Sequence, residues 1–226
     1  YSYKAGNVDL KKTIFLPHQK NASVILYHVT NHNDTDARIK LYPLLNCRYY
    51  HNITDNNRFP LRFTQQNSIQ TTEVTFQNPQ ATSICQVSEG RFIGAPNWVR
   101  KMRYRDEFSR GEAAFDDCFQ PGYFELMIPA QAVKEFAVVC AVGRSSQDAK
   151  VALDALGSAQ DAQVALVAEL NYKESILSDF YKAHPTIPKS GWLNWIILAS
   201  DSFIVQNAQG KKDIIAGYHW FEHFVL

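Results

Sequence analysis

No stretch of the chain approaches the roughly 18 consecutive apolar residues of a membrane helix, and its opening, YSYKAGNVDL, lacks the basic-then-apolar order of a secretory signal. No membrane partner is therefore expected. Cysteine is scarce: Cys47, Cys85, Cys118 and Cys140 stand far apart with no C-x-x-C pair. That spacing argues against a zinc ribbon or a redox dithiol and leaves free, reduced thiols in a cytoplasmic protein as the simplest reading. An excess of either charge is missing too. With Lys+Arg 23 against Asp+Glu 22, no nucleic-acid partner is expected. There is no G-x-G-x-x-G, no Walker loop and no G-x-S-x-G, so no cofactor and no activated nucleophile are expected. The Asn-x-Ser/Thr matches at Asn21 and Asn52 are read as chance.

What is present fits one large domain, or one domain with an appendage: 226 residues, 46% hydrophobic and 20% charged. From Thr13 to about Val142 the chain reads as strands punctuated by turns. In SVILYHVT and ARIKLYP alternate positions face opposite ways, so Ala37, Ile39 and Leu41 face a core while Arg38, Lys40 and Tyr42 face away. NHNDTD between these two stretches reads as a hairpin-type polar turn. Further strands are expected over 69–76, 81–87, 98–105, 123–128 and 135–142. Many strands with few helices between them predict antiparallel sheets packed as a sandwich.

After Gly143 the period changes. Ser145-Ser146 offers a helix N-cap before QDAKVALDAL, and a longer helix rich in Ala, Leu and Glu follows. Pro185 and Pro188 end it and open the next. There Trp192, Trp195, Ile196, Ala199 and Phe203 form one broad apolar stripe. The predicted division is 1–143 for the β domain and 144–226 for the helical part.

One stretch, NWVRKMRYRDEFSRGEAAFDDCFQPGYFEL, is dense in charged and aromatic residues. Carboxylates beside guanidinium groups and aromatic rings suit sugar recognition, since carboxylates accept hydroxyl hydrogen bonds and rings pack on apolar sugar faces. The same composition also describes a mutually neutralised surface loop with fixed ion pairs. Both readings stand at this level. Sequence does not identify Asp116-Asp117 as a hydrolytic pair of carboxylates, since adjacent residues often point in different directions.

Near the end stands an H-x-x-E-H string, His219 to His223 with Glu222 between, the short form of an inverted zinc-protease motif. Such a site needs a helix and a downstream ligand, and three residues follow His223. No metal is expected.

The run ASDSFIVQNAQGKKDIIAGYHWF resembles the segment that opens the catalytic helical barrel of microbial, archaeal-type glycogen debranching enzymes, the amylo-α-1,6-glucosidases. Ala199, Ser200, Asp201, Phe203, Ile204, Val205, Ile214, Ile215, Ala216, Gly217, Tyr218, Trp220 and Phe221 carry that likeness. Upstream, Pro43, Arg48, Tyr49, Tyr50 and His51 are similar to the same family's N-terminal region. So are Tyr104, Glu107, Arg110-Gly111, Asp116-Asp117, Phe119 and the Pro121-Gly122-Tyr123-Phe124-Glu125 run. The resemblance spans about residues 12 to 221.

It implies an antiparallel β-supersandwich of galactose-mutarotase-like type, then linker helices and the first helix of an (α/α)6 barrel. It implies hydrolysis of α-1,6 branch linkages in glycogen or another branched α-glucan, some members also moving α-1,4 segments. The family's catalytic carboxylates lie farther on, in the barrel, so no residue here inherits the acid or base role. After Trp220-Phe221 the family continues through an Asp-Trp-Gly-Arg-Asp type element, whereas this chain reads Glu222-His223-Phe224-Val225-Leu226.

The expected function is that of a non-catalytic N-terminal domain or fragment that supports the barrel of its own polypeptide. Trp98, Arg103, Glu107, Arg110, Asp116, Asp117 and Trp220 are the residues expected to face the glucan, with Trp98 and Trp220 as stacking platforms. The alternatives are a free-standing carbohydrate-binding module and a purely structural or assembly domain. The exposed helical stripe is the expected route to a homo-oligomer.

Overall fold

The computed structural model describes residues 1–48, 53–58, 60–111, 115–206, 210–215 and 223–224. In chain order the elements are β1 (Ser2–Ala5), β2 (Val8–Phe15), β3 (Ala22–Asn31), β4 (Ala37–Leu41), β5 (Phe63–Asn67), β6 (Thr71–Gln77), β7 (Gln80–Val87) and β8 (Arg91–Arg103). Then come α1 (Arg105–Ser109), β9 (Phe115–Ile128), β10 (Val133–Gly143), α2 (Ser146–Leu153), α3 (Ala159–Ala183), α4 (Gly191–Asp201), β11 (Ile204–Gln206), β12 (Lys212–Ile215) and β13 (His223–Phe224). They form two compact units, residues 1–166 and 167–226.

The first unit holds a seven-stranded sheet in the order β1-β2-β3-β10-β7-β6-β5 and a three-stranded sheet in the order β4-β9-β8. Among the described residues every strand pairing in these two sheets is antiparallel. The sheets meet face to face. Tyr27, Val29, Val87, Phe136 and Val138 of the large sheet form one buried cluster with Phe92, Phe124, Leu126 and Ile128 of the small one. Ala37, Ile39 and Leu41 pack against the same cluster while Arg38 and Lys40 are exposed, the period-two alternation that ARIKL predicts. Phe124 and Phe136 are fully buried, and each such burial contributes about 1.5–3 kcal/mol.

The reverse face of the large sheet is covered by helix. Phe15, Val24, Leu26, Ala137, Val139 and Ala141 pack with Leu156 and Ala162, flanked by Leu153 and Leu166. Strand gives way to helix after Gly143, and the first compact unit runs on to Leu166, because α2 and the first turns of α3 bury their apolar side on the sheet. Ser145 caps α2 with a reciprocal pair: its hydroxyl accepts the Asp148 N–H at 3.2 Å, and Asp148 accepts the Ser145 N–H at 3.1 Å.

Two expectations change. The strands begin at Ser2 rather than Thr13, since Gly6-Asn7 turns β1 into β2 with Ala5 opposite Val8 and Gly6 at φ +59°. NHNDTD is not a hairpin turn, for β3 and β4 lie in different sheets. It is a crossing from one layer to the other. The buried Asn31 fixes it, donating to the carbonyls of Thr35, Ile128 and Pro129 at 2.9, 3.1 and 3.0 Å.

In the second unit the remainder of α3 runs antiparallel to α4. Tyr172 donates to Asp201 at 3.0 Å and Tyr181 to Asn194 at 2.7 Å, so advance along one helix meets retreat along the other. The β11-β12-β13 order makes a small sheet. Trp192 and Trp195 on α4 are 67% and 71% exposed.

Candidate functional site

The charged stretch expected as a loop is the far half of a long hairpin. β8 and β9 pair from Arg91 opposite Glu125 to Arg103 opposite Phe115. Between the Gly94/Gly122 and Asn97/Gln120 pairs, and again between Val99/Cys118 and Met102/Asp116, β8 advances three residues while β9 advances two. Each is a bulge with one extra residue on β8, which re-aims the side chains beyond it. Lys101 sits in the second bulge at φ +50°, a left-handed conformation that a lysine adopts only when something holds it.

Asp117 does the holding. Neither it nor Asp116 faces a cleft as expected, for they are 5% and 1% exposed. Asp117 Oδ1 accepts the Lys101 N–H at 2.9 Å; its Oδ2 accepts the Asn56 N–H at 3.0 Å and an Arg100 guanidinium N–H at 2.8 Å. Asp116 Oδ1 accepts the Thr54 N–H at 2.5 Å, and its Oδ2 lies 3.1 Å from Arg48. That second contact is ionic: the guanidinium is close but not aligned for a hydrogen bond. Burial works against an ionised Asp117, but the Lys101 N–H, Arg100 and the Asn56 N–H outweigh it and hold the carboxyl below the ordinary carboxylate range. Both carboxylates are thus staples between the hairpin and the segment at 54–56.

Trp98 is half-buried rather than an open platform. Its ring centroid lies 5.5 Å from Phe119 and 6.3 Å from Phe63, and Arg100 caps the ring at 5.1 Å. Beyond it, at the hairpin tip, Arg103 stacks over Phe108 at 3.6 Å and Arg110 lies 3.6 Å from Glu107. Arg103 and Arg110 are exposed and Glu107 is half-buried. This end of the hairpin offers donors and acceptors to hydroxyl groups. Trp220 lies outside the described residues, as do Tyr49, Tyr50, His51, Gly217, Tyr218, Phe221, and the His219 and Glu222 of the H-x-x-E-H string. Of that string only the backbone of His223 is described, paired with Ile215.

A second surface was not singled out from sequence: the outward face of β4-β9-β8. Arg91 donates to Glu125 at 2.7 and 3.3 Å, Arg38 approaches the other carboxylate oxygen at 3.8 Å, and Lys40 lies 4.6 Å over the Tyr123 ring. Tyr42 sits 5.4 Å from Tyr123. The Arg91 hydrogen bond, with the other cations, lowers the Glu125 pKa. The signal was available, since the strand alternation already sends Arg38, Lys40 and Tyr42 outward.

Residues 1–134 match the family model described as "Glycogen debranching enzyme N terminal". The chain belongs to this family. The match covers the small sheet, both bulges and the two staples, ending just inside β10. No curated protein matches the chain. Among solved structures it is similar to a polysaccharide lyase (11% identity, TM-score 0.41, 67% of this chain and 22% of that one). It is also similar to a putative kojibiose phosphorylase from the human microbiome (13%, 0.35, 67% and 19%). A third is a bacterial glucoamylase complexed with acarbose (13%, 0.30, 67% and 22%). The chain spans about a fifth of the length of each.

Proposed function

We propose that this chain is the non-catalytic N-terminal region of a glycogen-debranching glycosidase of amylo-α-1,6-glucosidase type, acting in the cytoplasm on glycogen or a similar branched α-glucan. Its β unit supports a catalytic (α/α)6 barrel of the same polypeptide. Arg103, Glu107 and Arg110 at the hairpin tip contact the glucan, and Trp220 is a stacking residue for it. Trp98 and Asp116-Asp117 act behind them by fixing the tip. The observation that carries the reading is the family match over residues 1–134, joined to the commitment of both adjacent carboxylates to protein N–H groups. A glycosidase needs one carboxyl free to donate a proton and another free to attack or activate water, and neither aspartate is available. The exposed Trp192/Trp195 stripe is the face assigned to the barrel.

The test is direct. Purified chain incubated with branched dextrin releases no glucose, and calorimetric titration with maltooligosaccharides shows no binding at a Kd of about 1 mM, some −4 kcal/mol. Glucose release from a contaminant-free sample refutes the proposal. Submillimolar binding instead favours a second reading, a free-standing carbohydrate-binding module. The face that carries the exposed Tyr42 and the half-buried Tyr123 supports that alternative, and Tyr42→Ala with Tyr123→Ala would then abolish the heat.

A further inference from the structure

Cys85 on β7 and Cys140 on β10 are directly opposite in the antiparallel ladder. Their sulfur atoms lie 2.6 Å apart. Residues paired in this way keep their Cα atoms about 4.5–5.5 Å apart, inside the range of about 4.4–6.8 Å that a disulfide spans. No backbone movement is needed to join them. Spacing along the chain hides the pair, since 55 positions separate the two cysteines.

The two thiols differ in access. Cys85 is fully buried in the cluster between the sheets. Its hydrogen bond with Cys140, together with burial, pushes its pKa well up, against a smaller opposing effect of Ser83. Cys140 is only partly buried and lines an open cavity of about 820 Å³, walled by Ser23, Phe76, Ser83, Val142 and Arg144 among others. A small molecule entering the cavity meets Cys140 and not Cys85. Cys47 also borders the cavity but donates to the Pro79 carbonyl at 3.4 Å.

From this arrangement we infer that Cys140 is a modification site for low-molecular-weight disulfides, and that Cys85 resolves the adduct into a reversible cross-strand disulfide. In the first step the Cys140 thiolate attacks one sulfur of a small disulfide RS–SR, forming Cys140–S–S–R and expelling RS⁻. In the second the buried Cys85 sulfur attacks Cys140 Sγ, forming Cys85–Cys140 and expelling the second RS⁻, which takes the Cys85 proton as it leaves through the cavity. Both RS⁻ groups take up the released protons as RSH. Two protein thiols are oxidised and one small disulfide is reduced to two thiols. The bond closes a loop that contains all of β8 and β9, so it restricts the unfolded chain.

Oxidised glutathione is the probe. The full chain is incubated with it, alkylated in denaturant without reductant, and weighed intact. The expected result is two alkylated cysteines of four, a Cys85–Cys140 cross-linked peptide after digestion, and a Tm raised by about 10 °C. Dithiothreitol reverses all three. In Cys85→Ala the reaction stops at one glutathione on Cys140, and in Cys140→Ser neither adduct nor cross-link forms. Four alkylated cysteines in the native chain, a stable glutathione adduct on Cys140 with Cys85 present, or modification of Cys47 instead would each overturn the proposal. The native chain alone decides these outcomes, so the proposal stays testable if a variant fails to fold.

Discussion

Asp117 accepts the backbone N–H of Lys101 at 2.9 Å, and Lys101 is the residue that the second bulge of β8 holds at φ +50°. A buried charge here fixes a backbone turn that the lysine would not adopt alone. Together with the bonds of the same carboxylate to Arg100 and the Asn56 N–H, this contact ties the hairpin that carries Arg103, Glu107 and Arg110 to the segment at 54–56.

Asp117→Asn should destabilise the β unit by about 2–4 kcal/mol, because it removes the charge opposite Arg100 and turns one of the two accepting oxygens into an amide donor, which then faces either the Lys101 N–H or the Asn56 N–H and Arg100. The pH dependence has a defined sign. Asp117 titrates lower in the folded protein than in the unfolded one, so its contribution is complete above the ordinary aspartate pKa of about 3.9. It is lost as pH falls through the lower, folded value. Thermal melts of the native chain and the variant should therefore differ by a constant amount at neutral pH and converge under acid. A gap that persists at the lowest pH would refute the staple role.

Tyr104 should titrate late. Burial, the neighbouring Cys118 thiol and the Asp116 charge push its phenol up to about 12, against a smaller opposing effect of Arg48. Absorbance at the tyrosinate band should show one phenol ionising near that value, missing in Tyr104→Phe. With the folded pKa above the unfolded value of about 10, stability from this group is complete below 10 and is lost as pH rises through 12.

Much of the sandwich was legible in the sequence, and the reason is local. Period two in ARIKL assigns Ala37, Ile39 and Leu41 to the core with no knowledge of what they meet, and the change of period after Gly143 coincides with the start of α2. What escaped reading depends on partners distant in sequence. Whether NHNDTD closes a hairpin or crosses between sheets is decided by Asn31, whose amide meets the Ile128 carbonyl 97 positions away. The charged stretch invited two readings, sugar contact or fixed ion pairs. Asp116 and Asp117 follow the second, because Arg48, Thr54 and Asn56 reach them from a segment that no local pattern links to β9. The bulges that turn Arg103 outward leave no mark in composition at all.

Gly122 should tolerate nothing larger. A Cβ there would lie 2.1 Å from the Ile93 carbonyl oxygen, 2.7 Å from the Phe92 ring and 2.9 Å from the Ala95 nitrogen. Gly122→Ala must spread β8 from β9 beside the first bulge, and a loss of about 3 kcal/mol or more is expected in denaturant unfolding. Gly191→Ala at the start of α4 is the control. Its added methyl meets nothing within 4 Å, so that variant should be neutral or slightly more stable.

The α4 stripe gives the sharpest check on the proposed barrel partner. Trp192 and Trp195 are largely exposed, and two adjacent indoles in water form the kind of patch that proteins cover. In the isolated chain their emission should be red-shifted and quenched by iodide, and Trp192→Ser with Trp195→Ser should remove most of that quenchable signal. In a polypeptide that carries the barrel the same two residues should emit to the blue and resist iodide, because a barrel helix would replace water on the stripe. If they stay quenchable there, the stripe does not face the barrel. Self-association of the isolated chain, measured by sedimentation and lost in the double variant, would then identify a second copy as what covers it.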